Sequence, residues 1–428
     1  MALILTNSQK EIFLDPVERL FSKVNQKKSN ELILIVPTNR IVRNLKHTII
    51  KQSKTAIPNL QIYTLELLMR KIYSTFDIHY FELEPDMQSI LVEESINKLL
   101  KENSLFFFKP RPDGKLQKGT FDKIFNLIRE FRENGIYPED LENDIDAIDK
   151  NEIDKISDII KIYNEYNKRI YKRFVDKGEI YKTINEKFVF PKSNDFFQLA
   201  FPEANELFIY GFNEFTKIES NFLIELTKIK NLDVILSIDY NFNNLYLFGI
   251  LKKNVDSFYN AGLKEYSFQN NQSETFKNYI EKSLFNRATK VQKKDFSEFI
   301  SIVAAKDRIT EVENIFKTIK SIIKNNPEQD LNNICIATYS TEKYTDLFRE
   351  YSEKFGIPVN LTDRYFLNRS PLISSIISFL QIPVNNYRKK EIFRALLSPY
   401  LIFKNKKGEI IDAHSLYEIA NSLKITFG

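Results

Sequence analysis

Three times within residues 3–73 the chain repeats one pattern: a short apolar run, a polar break, then apolar residues at helical spacing. Leu3-Ile4-Leu5 precedes Val17, Leu20, Phe21 and Val24. "ELILIV", residues 31–36, precedes "PTNR" and then Ile41, Val42, Leu45 and Ile49. "LQIYTLELLMRKIY", residues 60–73, runs from a strand into a helix with Thr64 at the junction. Apolar runs without alternation suit strands buried on both faces, and strands joined by helices make a parallel sheet. The predicted class is therefore α/β. Ligands of open α/β sheets sit beyond the carboxyl ends of the strands, which puts Pro37-Thr38-Asn39-Arg40 on a candidate binding edge.

The pattern then changes. From 86 to 187 "MQSILVEESINKLL", "TFDKIFNLIREFRENG" and "ISDIIKIYNEYNKRIYKRF" each carry an apolar stripe at helical spacing. "KPRPDGK", 109–115, reads as a loop, and Gly135 followed by Pro138 reads as a helix stop. The β/α alternation returns with "ELFIYGF", 206–212, and "LDVILSIDY", 232–240. Residues 251–297 are polar and irregular. "EFISIVAAKD", "RITEVENIFKTIKSII", "NNICIATYS" and "YTDLFREYSEKFGIPVNLT" then read as strand, helix, strand, helix, and residues 371–428 as mostly helical.

A chain of 428 residues exceeds one compact core, and two to four domains are expected. No apolar stretch is long enough for a membrane span and the N-terminus lacks a basic leader, so no membrane partner and a cytoplasmic location are expected. A single cysteine, Cys335, excludes a disulfide or a four-cysteine metal site within these residues. The net charge of +5 permits nucleic acid without requiring it. The 10 glycines fall far below the roughly 30 of average usage, and the first is Gly114. No glycine-rich loop can precede it.

The order of these motifs resembles a superfamily 1 helicase, and more closely the AddB/RexB-type subunit of bacterial recombination nucleases. Strand-"PTNR"-helix is similar to the motif whose Thr-Asn-basic triplet touches the DNA backbone, and Thr64 to the next such motif. "IYGFNEFTKIE" resembles the family's acidic strand, and "IYNEYNKRI", "EVENIFKTIK", "ICIATYS", "GIPVNL" and "LLSPYLI" also have counterparts. The resemblance implies two RecA-like parallel-sheet domains with helical insertions. Residues 1–85 plus 200–250 would form the first and 86–199 a helical insertion. Residues 251–296 would be a linker, 297–380 the second RecA-like domain, and 381–428 the start of a helical domain continuing past Gly428.

Three positions depart from a working motor. "LILTNSQKEIFLDP" stands where the phosphate loop belongs and has no glycine. Such a loop needs backbone N–H groups that reach phosphate unobstructed by side chains. Tyr210, followed by Gly211, takes the place of the Mg²⁺-binding acid, and Tyr339 that of a phosphate-touching arginine. Without a carboxylate ligand or the arginine, ATP chemistry has no machinery here. The resemblance thus implies a non-catalytic scaffold that binds single-stranded DNA beside an active AddA-like helicase/nuclease subunit, in double-strand break repair. It also implies that a PD-(D/E)XK nuclease domain, with its Mg²⁺ and iron–sulfur cluster, lies further toward the C-terminus; no cofactor is expected in these residues.

The candidate DNA-binding residues are Thr38, Asn39, Arg40, Arg43 and Thr64. The competing reading makes Asn39 a helix cap with Arg40 and Arg43 solvated. Glu66 counts against phosphate, since a carboxylate would repel it. Asp86 and Asp113-Gly114-Lys115 mimic a nuclease pattern, but turn and helix-start chemistry explains them better. His47, His79 and His414 have no metal spacing. "LFFFKPRP", 105–112, sets three phenylalanines beside basic residues, for which helix packing is favoured over base stacking. Two other classes stay open: a nucleotidase or helicase with an unrecognised phosphate site, and a scaffold that binds only protein.

Overall fold

The computed structural model describes residues 2–5, 16–53, 57, 59–145, 149–242, 244–265, 276–286, 294–361 and 367–426. They fall into two compact units, residues 1–295 and 296–428.

The first unit is built on a six-stranded sheet. Its strands are β1 (Ala2–Leu5), β2 (Leu32–Ile35), β3 (Ile62–Tyr63), β6 (Glu206–Phe212), β7 (Asp233–Ile238) and β8 (Lys264–Glu265), in the order β3-β2-β6-β7-β1-β8. Every pairing is parallel. Side chains alternate between two apolar layers. Leu32, Leu34 and Phe208 meet Leu20 of α1 (Pro16–Asn25) and Val42 and Ile49 of α2 (Asn39–Ser53). Ile33, Ile35, Leu207 and Ile209 face the opposite layer, as the two-residue strand period requires. Burial on both faces is what makes these strands apolar at consecutive positions.

The second layer holds α3 (Leu65–Tyr73), α8 (Lys177–Lys187), α9 (Lys192–Ala200), α10 (Lys217–Thr227) and α12 (Lys252–Asn260). Between α3 and α8 the chain leaves the sheet. β4 (Phe81–Glu82) and β5 (Phe174–Val175) pair in parallel at the point of departure and return. Between them α4 (Pro85–Lys101), α5 (Lys118–Asn134), α6 (Pro138–Asn143) and α7 (Ile153–Ile170) enclose a separate core that includes Val92, Ile96, Ile128, Ile162 and Tyr163. The short α11 (Leu245–Phe248) is tied to α13 (Phe276–Ser283) by buried Asn244, whose Nδ2 donates to Glu281 O and Leu284 O.

Two expected boundaries differ. The insertion does not run to 199: Ile180, Tyr181, Ile184 and Phe197 are buried in the sheet's own core. Residues 251–265 do not begin a linker, because Leu251, Val255 and Phe258 enter that core and β8 pairs with β1. A helical stripe shows that a helix has a buried face, not which core receives it.

In the second unit α14 (Arg308–Asn325) packs on α15 (Thr345–Phe355) through Val312, Phe316, Phe348 and Tyr351. Asp307 caps α14, and Gly356, at φ +64°, ends α15 in the left-handed region that favours glycine. α16 (Pro371–Val384), α17 (Lys389–Leu396) and α18 (Ala413–Ser422) follow. The stretches 301–305 and 334–338, expected as strands, join no ladder among the described residues, and Ile302 is 95% exposed. A strand exists only through its neighbours, and an apolar run cannot supply them. Among the described residues no helix is long and apolar enough to cross a membrane.

Candidate nucleic-acid interface

The carboxyl ends of β3, β2 and β6 lie side by side. The registers are Ile35 opposite Tyr63 and Ile35 opposite Ile209, and Val36 N donates to Tyr63 O at 3.0 Å. The residues that follow each strand therefore meet on one edge: Pro37–Arg40 after β2, Thr64 after β3, and Tyr210–Glu214 at the end of β6.

After β2 the backbone turns directly into α2. Thr38 Oγ1 accepts from Ile41 N at 3.4 Å and Thr38 O from Val42 N at 3.1 Å, so Thr38 is the capping residue and Asn39 opens the helix. The cap expected at Asn39 thus falls one residue earlier. Thr38, Asn39, Arg40 and Arg43 are all exposed. Arg43 Nε donates to Asn39 O at 3.3 Å, using one of its five N–H donors. Arg40 and Arg43 share a helix face, and His47, exposed one turn further on, continues it. His47 lacks metal spacing, but its spacing from Arg43 marks the shared face.

After β3 the arrangement repeats. Thr64 caps α3, with Oγ1 accepting from Leu67 N at 3.3 Å, but it is buried at 8% exposure. Its hydroxyl holds the helix start instead of standing open beside Thr38. Two helix N-termini, those of α2 and α3, thus open at one edge, and their positive dipole ends favour anions.

Glu66 in the first turn of α3 does not present a bare charge. Its Oε1 lies 3.0 Å from Arg70 Nε and its Oε2 3.5 Å from Lys177 Nζ. Burial opposes the charge on Arg70, but hydrogen bonds to Glu82 and Glu66 outweigh it and raise the guanidinium's pKa. On Lys177 burial is likewise outweighed, by Glu133 and Glu66, and the ammonium's pKa is raised. Lys177 lies 111 positions from Glu66 in sequence, so no local pattern could have revealed the pairing. Arg70 also meets Glu82 and Lys177 also meets Glu133 at 2.8 Å, so three carboxylates share two cations and the expected repulsion of phosphate is reduced, not removed.

At the end of β6, Tyr210 pairs with Ser237 and Phe212 with Ile238, with Gly211 in a bulge between them at φ +80°. A bulge of this conformation calls for glycine. A β-carbon added at Gly211 would lie 3.7 Å from Pro37 Cδ, which shows how closely the two strand ends approach. Tyr210 packs against the core beside α2. The "FTKIE" run that follows is a capping box for α10: Glu219 N donates to Thr216 Oγ1 at 3.2 Å and Thr216 N to Glu219 Oε2 at 3.0 Å. A phenol and a bulge glycine do not fit Mg²⁺, which takes carboxylate oxygens. Among the described residues no group of three or more His, Cys, Asp or Glu could hold a metal ion. The phosphate-loop position, residues 6–15, lies outside the described residues.

The remaining candidates disperse. Asp86 begins α4, whereas Asp113 accepts from Lys115 N and Lys115 Nζ pairs with Glu93 at 3.1 Å, a turn instead of a metal site. His79 is exposed and 3.0 Å from Asp77, and His414 is exposed near the start of α18. Tyr339 is fully exposed in the second unit.

Comparison with known proteins fits this picture. Residues 15–296 match the family described as ADDB, N-terminal, and residues 251–425 match the UvrD-like helicase C-terminal domain. Among curated relatives, the B-type subunit of the ATP-dependent helicase/deoxyribonuclease of Clostridium tetani is 21% identical over 426 residues. Its namesakes from a Thermoanaerobacter species (strain X514) and from Clostridium acetobutylicum are 24% and 22% identical over 425 and 419 residues. Each alignment covers 94% of this chain and 35% of the relative. The chain spans about a third of the length of the curated relatives it matches.

Proposed function

Since this chain belongs to the AddB N-terminal family, we propose that it is the inactive, helicase-like part of a helicase/nuclease subunit. It binds single-stranded DNA without hydrolysing ATP, in the cytoplasm, alongside an active AddA-like partner, in double-strand break repair and recombination. Cleavage, with its Mg²⁺ and iron–sulfur cluster, belongs to a nuclease domain outside these residues. One observation carries the reading. The exposed Thr38–Arg43 edge stands beside a β6 end that has a tyrosine and a bulge glycine in place of metal-binding acids. Two hydroxyl- or amide-bearing residues, two guanidinium groups and a helix N-terminus suit a phosphate backbone, which asks only for donors and positive charge. Nothing there asks for a triphosphate with its metal. Thr64, buried, contributes by fixing α3 at the same edge.

Mg²⁺-ATP titrated into the chain in a calorimeter is expected to give no heat of binding, and phosphate release is expected to stay at background. Micromolar affinity would mean that a phosphate site exists and that the chain is not a dead motor. Binding of labelled oligo(dT), read by anisotropy across a salt series, tests the DNA half of the reading separately.

A further inference from the structure

In "LFFFKPRP" only the third phenylalanine packs inward. Phe108 is 8% exposed, whereas Phe106 is 65% and Phe107 49% exposed. Helix packing therefore explains one ring and leaves two in solvent.

The backbone beneath these two rings is anchored. Asp158 of α7 is fully buried, and its carboxylate accepts three successive backbone N–H groups. Phe106 N donates to Oδ1 at 3.0 Å, Phe107 N to Oδ2 at 2.7 Å and Phe108 N to Oδ2 at 3.1 Å. Lys161, one turn along α7, lies 3.6 Å from Asp158 and donates to Ser104 O at 2.8 Å. Its ammonium stands 4.5 Å from the centroid of the Phe106 ring. Phe107 rests edge-on against Phe108, with centroids 5.1 Å apart at 86°. A buried carboxylate with three backbone donors is a costly device for a loop that would serve only as a connection. Its effect is to fix the backbone beneath both exposed rings.

The surroundings indicate what the rings meet. Along the chain Lys101, Lys109, Arg111 and Lys118 are exposed, as are Glu102 and Asp113, and Arg111 lies 3.8 Å from Asp113. Arg111 O accepts from Gly114 N at 2.8 Å, which closes the tip of the loop and keeps its basic arm short. Exposed aromatic faces interleaved with basic side chains match a single strand of nucleic acid, whose bases stack while its phosphates meet the cations. A protein partner would more commonly meet a broad patch depleted of lysine.

We infer that residues 105–112 form a second single-strand contact, on the helical insertion, with Phe106 and Phe107 as stacking platforms and Lys109 and Arg111 as backbone contacts. The inference rests on the reading of the chain as a DNA-binding scaffold. Because Asp158 orders the loop beforehand, a base stacks there without the entropic cost of ordering the backbone.

The chain contains no tryptophan, so Phe106→Trp or Phe107→Trp places a single indole on the loop. Unlabelled oligo(dT) is expected to quench that indole over the concentration range in which labelled oligo(dT) binds by anisotropy. The double variant Phe106→Ala/Phe107→Ala is expected to bind oligo(dT) at least about thirty-fold more weakly, at about 1 kcal/mol or more for each lost platform, with only a small fall in melting temperature because both rings are largely exposed. Binding without quenching, together with wild-type affinity in the double variant, would overturn the loop contact and leave the sheet-edge reading standing. If the wild type fails to bind oligo(dT) even at low salt, both readings fall. Loss of partner-subunit assembly in the double variant, with oligo(dT) affinity intact, would make the loop a protein interface and also overturn the inference.

Discussion

Arg132→Ala is expected to destabilise the first unit by about 3–5 kcal/mol, the cost of stranding one member of a buried ion pair. Arg132 ends α5, in the core of the insertion, yet its partner Asp176 caps α8, which lies in the core of the sheet. The pair therefore joins the two bodies of the first unit. Nε lies 2.8 Å from Asp176 Oδ2, and Nη2 donates to Asp176 Oδ1 at 3.0 Å and to Glu179 Oε2 at 3.1 Å. Asn167 accepts from Nη1, and the Tyr166 hydroxyl donates to Asp176 Oδ2 at 2.9 Å. Burial opposes the charge on Arg132, but Asp176 outweighs it and raises the guanidinium's pKa. Burial also raises the pKa values of the Tyr163 and Tyr166 phenols that flank it. Gly178 completes the fit, since a β-carbon there would come within 2.4 Å of Arg132 Cβ.

Urea unfolding of Arg132→Ala, Asp176→Ala and the double variant measures this joint. The double is expected to cost less than the sum of the singles, because each single leaves the other charge buried and alone. A loss below about 1 kcal/mol in Arg132→Ala would place the pair among weak surface bridges and remove it as the joint.

Arg40→Ala/Arg43→Ala is expected to weaken single-stranded DNA binding alike for every sequence, because phosphate contacts set register and not base preference. Each lost contact should flatten the slope of log K against log salt by about 0.7, or about 1.4 for the pair. Between about 50 and about 200 mM salt the advantage of the wild type over the variant should then shrink roughly sevenfold. Both side chains are exposed on α2, so the variant is expected to keep its melting temperature. Equal slopes in the two proteins would mean that the edge no longer meets DNA and that "PTNR" is a turn and a helix cap.

Much of the sheet was legible because its strands are buried on both sides. β2 and β6 announce themselves as apolar runs, and β3 by the cap that follows it. β8 did not, because Lys264 and Glu265 are both exposed and leave no apolar run to read in a strand that pairs with β1 at the sheet's edge. The end of the insertion was missed for a related reason. α8 carries the same kind of apolar stripe as α7, and only the folded chain assigns one to the sheet and the other to the insertion. At the candidate site, sequence located the exposed donors of α2 but could not foresee that Thr64 is buried. Glu66 and Arg70 stand at i,i+4 in α3, a pairing that sequence can show, whereas Lys177 reaches Glu66 only once the insertion has returned to the sheet. The phenylalanine run was the hardest to read. Three identical residues divide into one core ring and two exposed rings because of a carboxylate 50 positions away.

The central claim is that this chain holds single-stranded DNA by charge and hydrogen bonding, without nucleotide. The most direct measurement is the anisotropy of labelled oligo(dT) with the wild-type chain across a salt series, with and without ATP. The account predicts binding at low salt that weakens linearly in log K against log salt and, with Mg²⁺ and ionic strength held constant, does not change when ATP is added. Absence of binding at low salt, or an affinity that shifts with ATP, would contradict it.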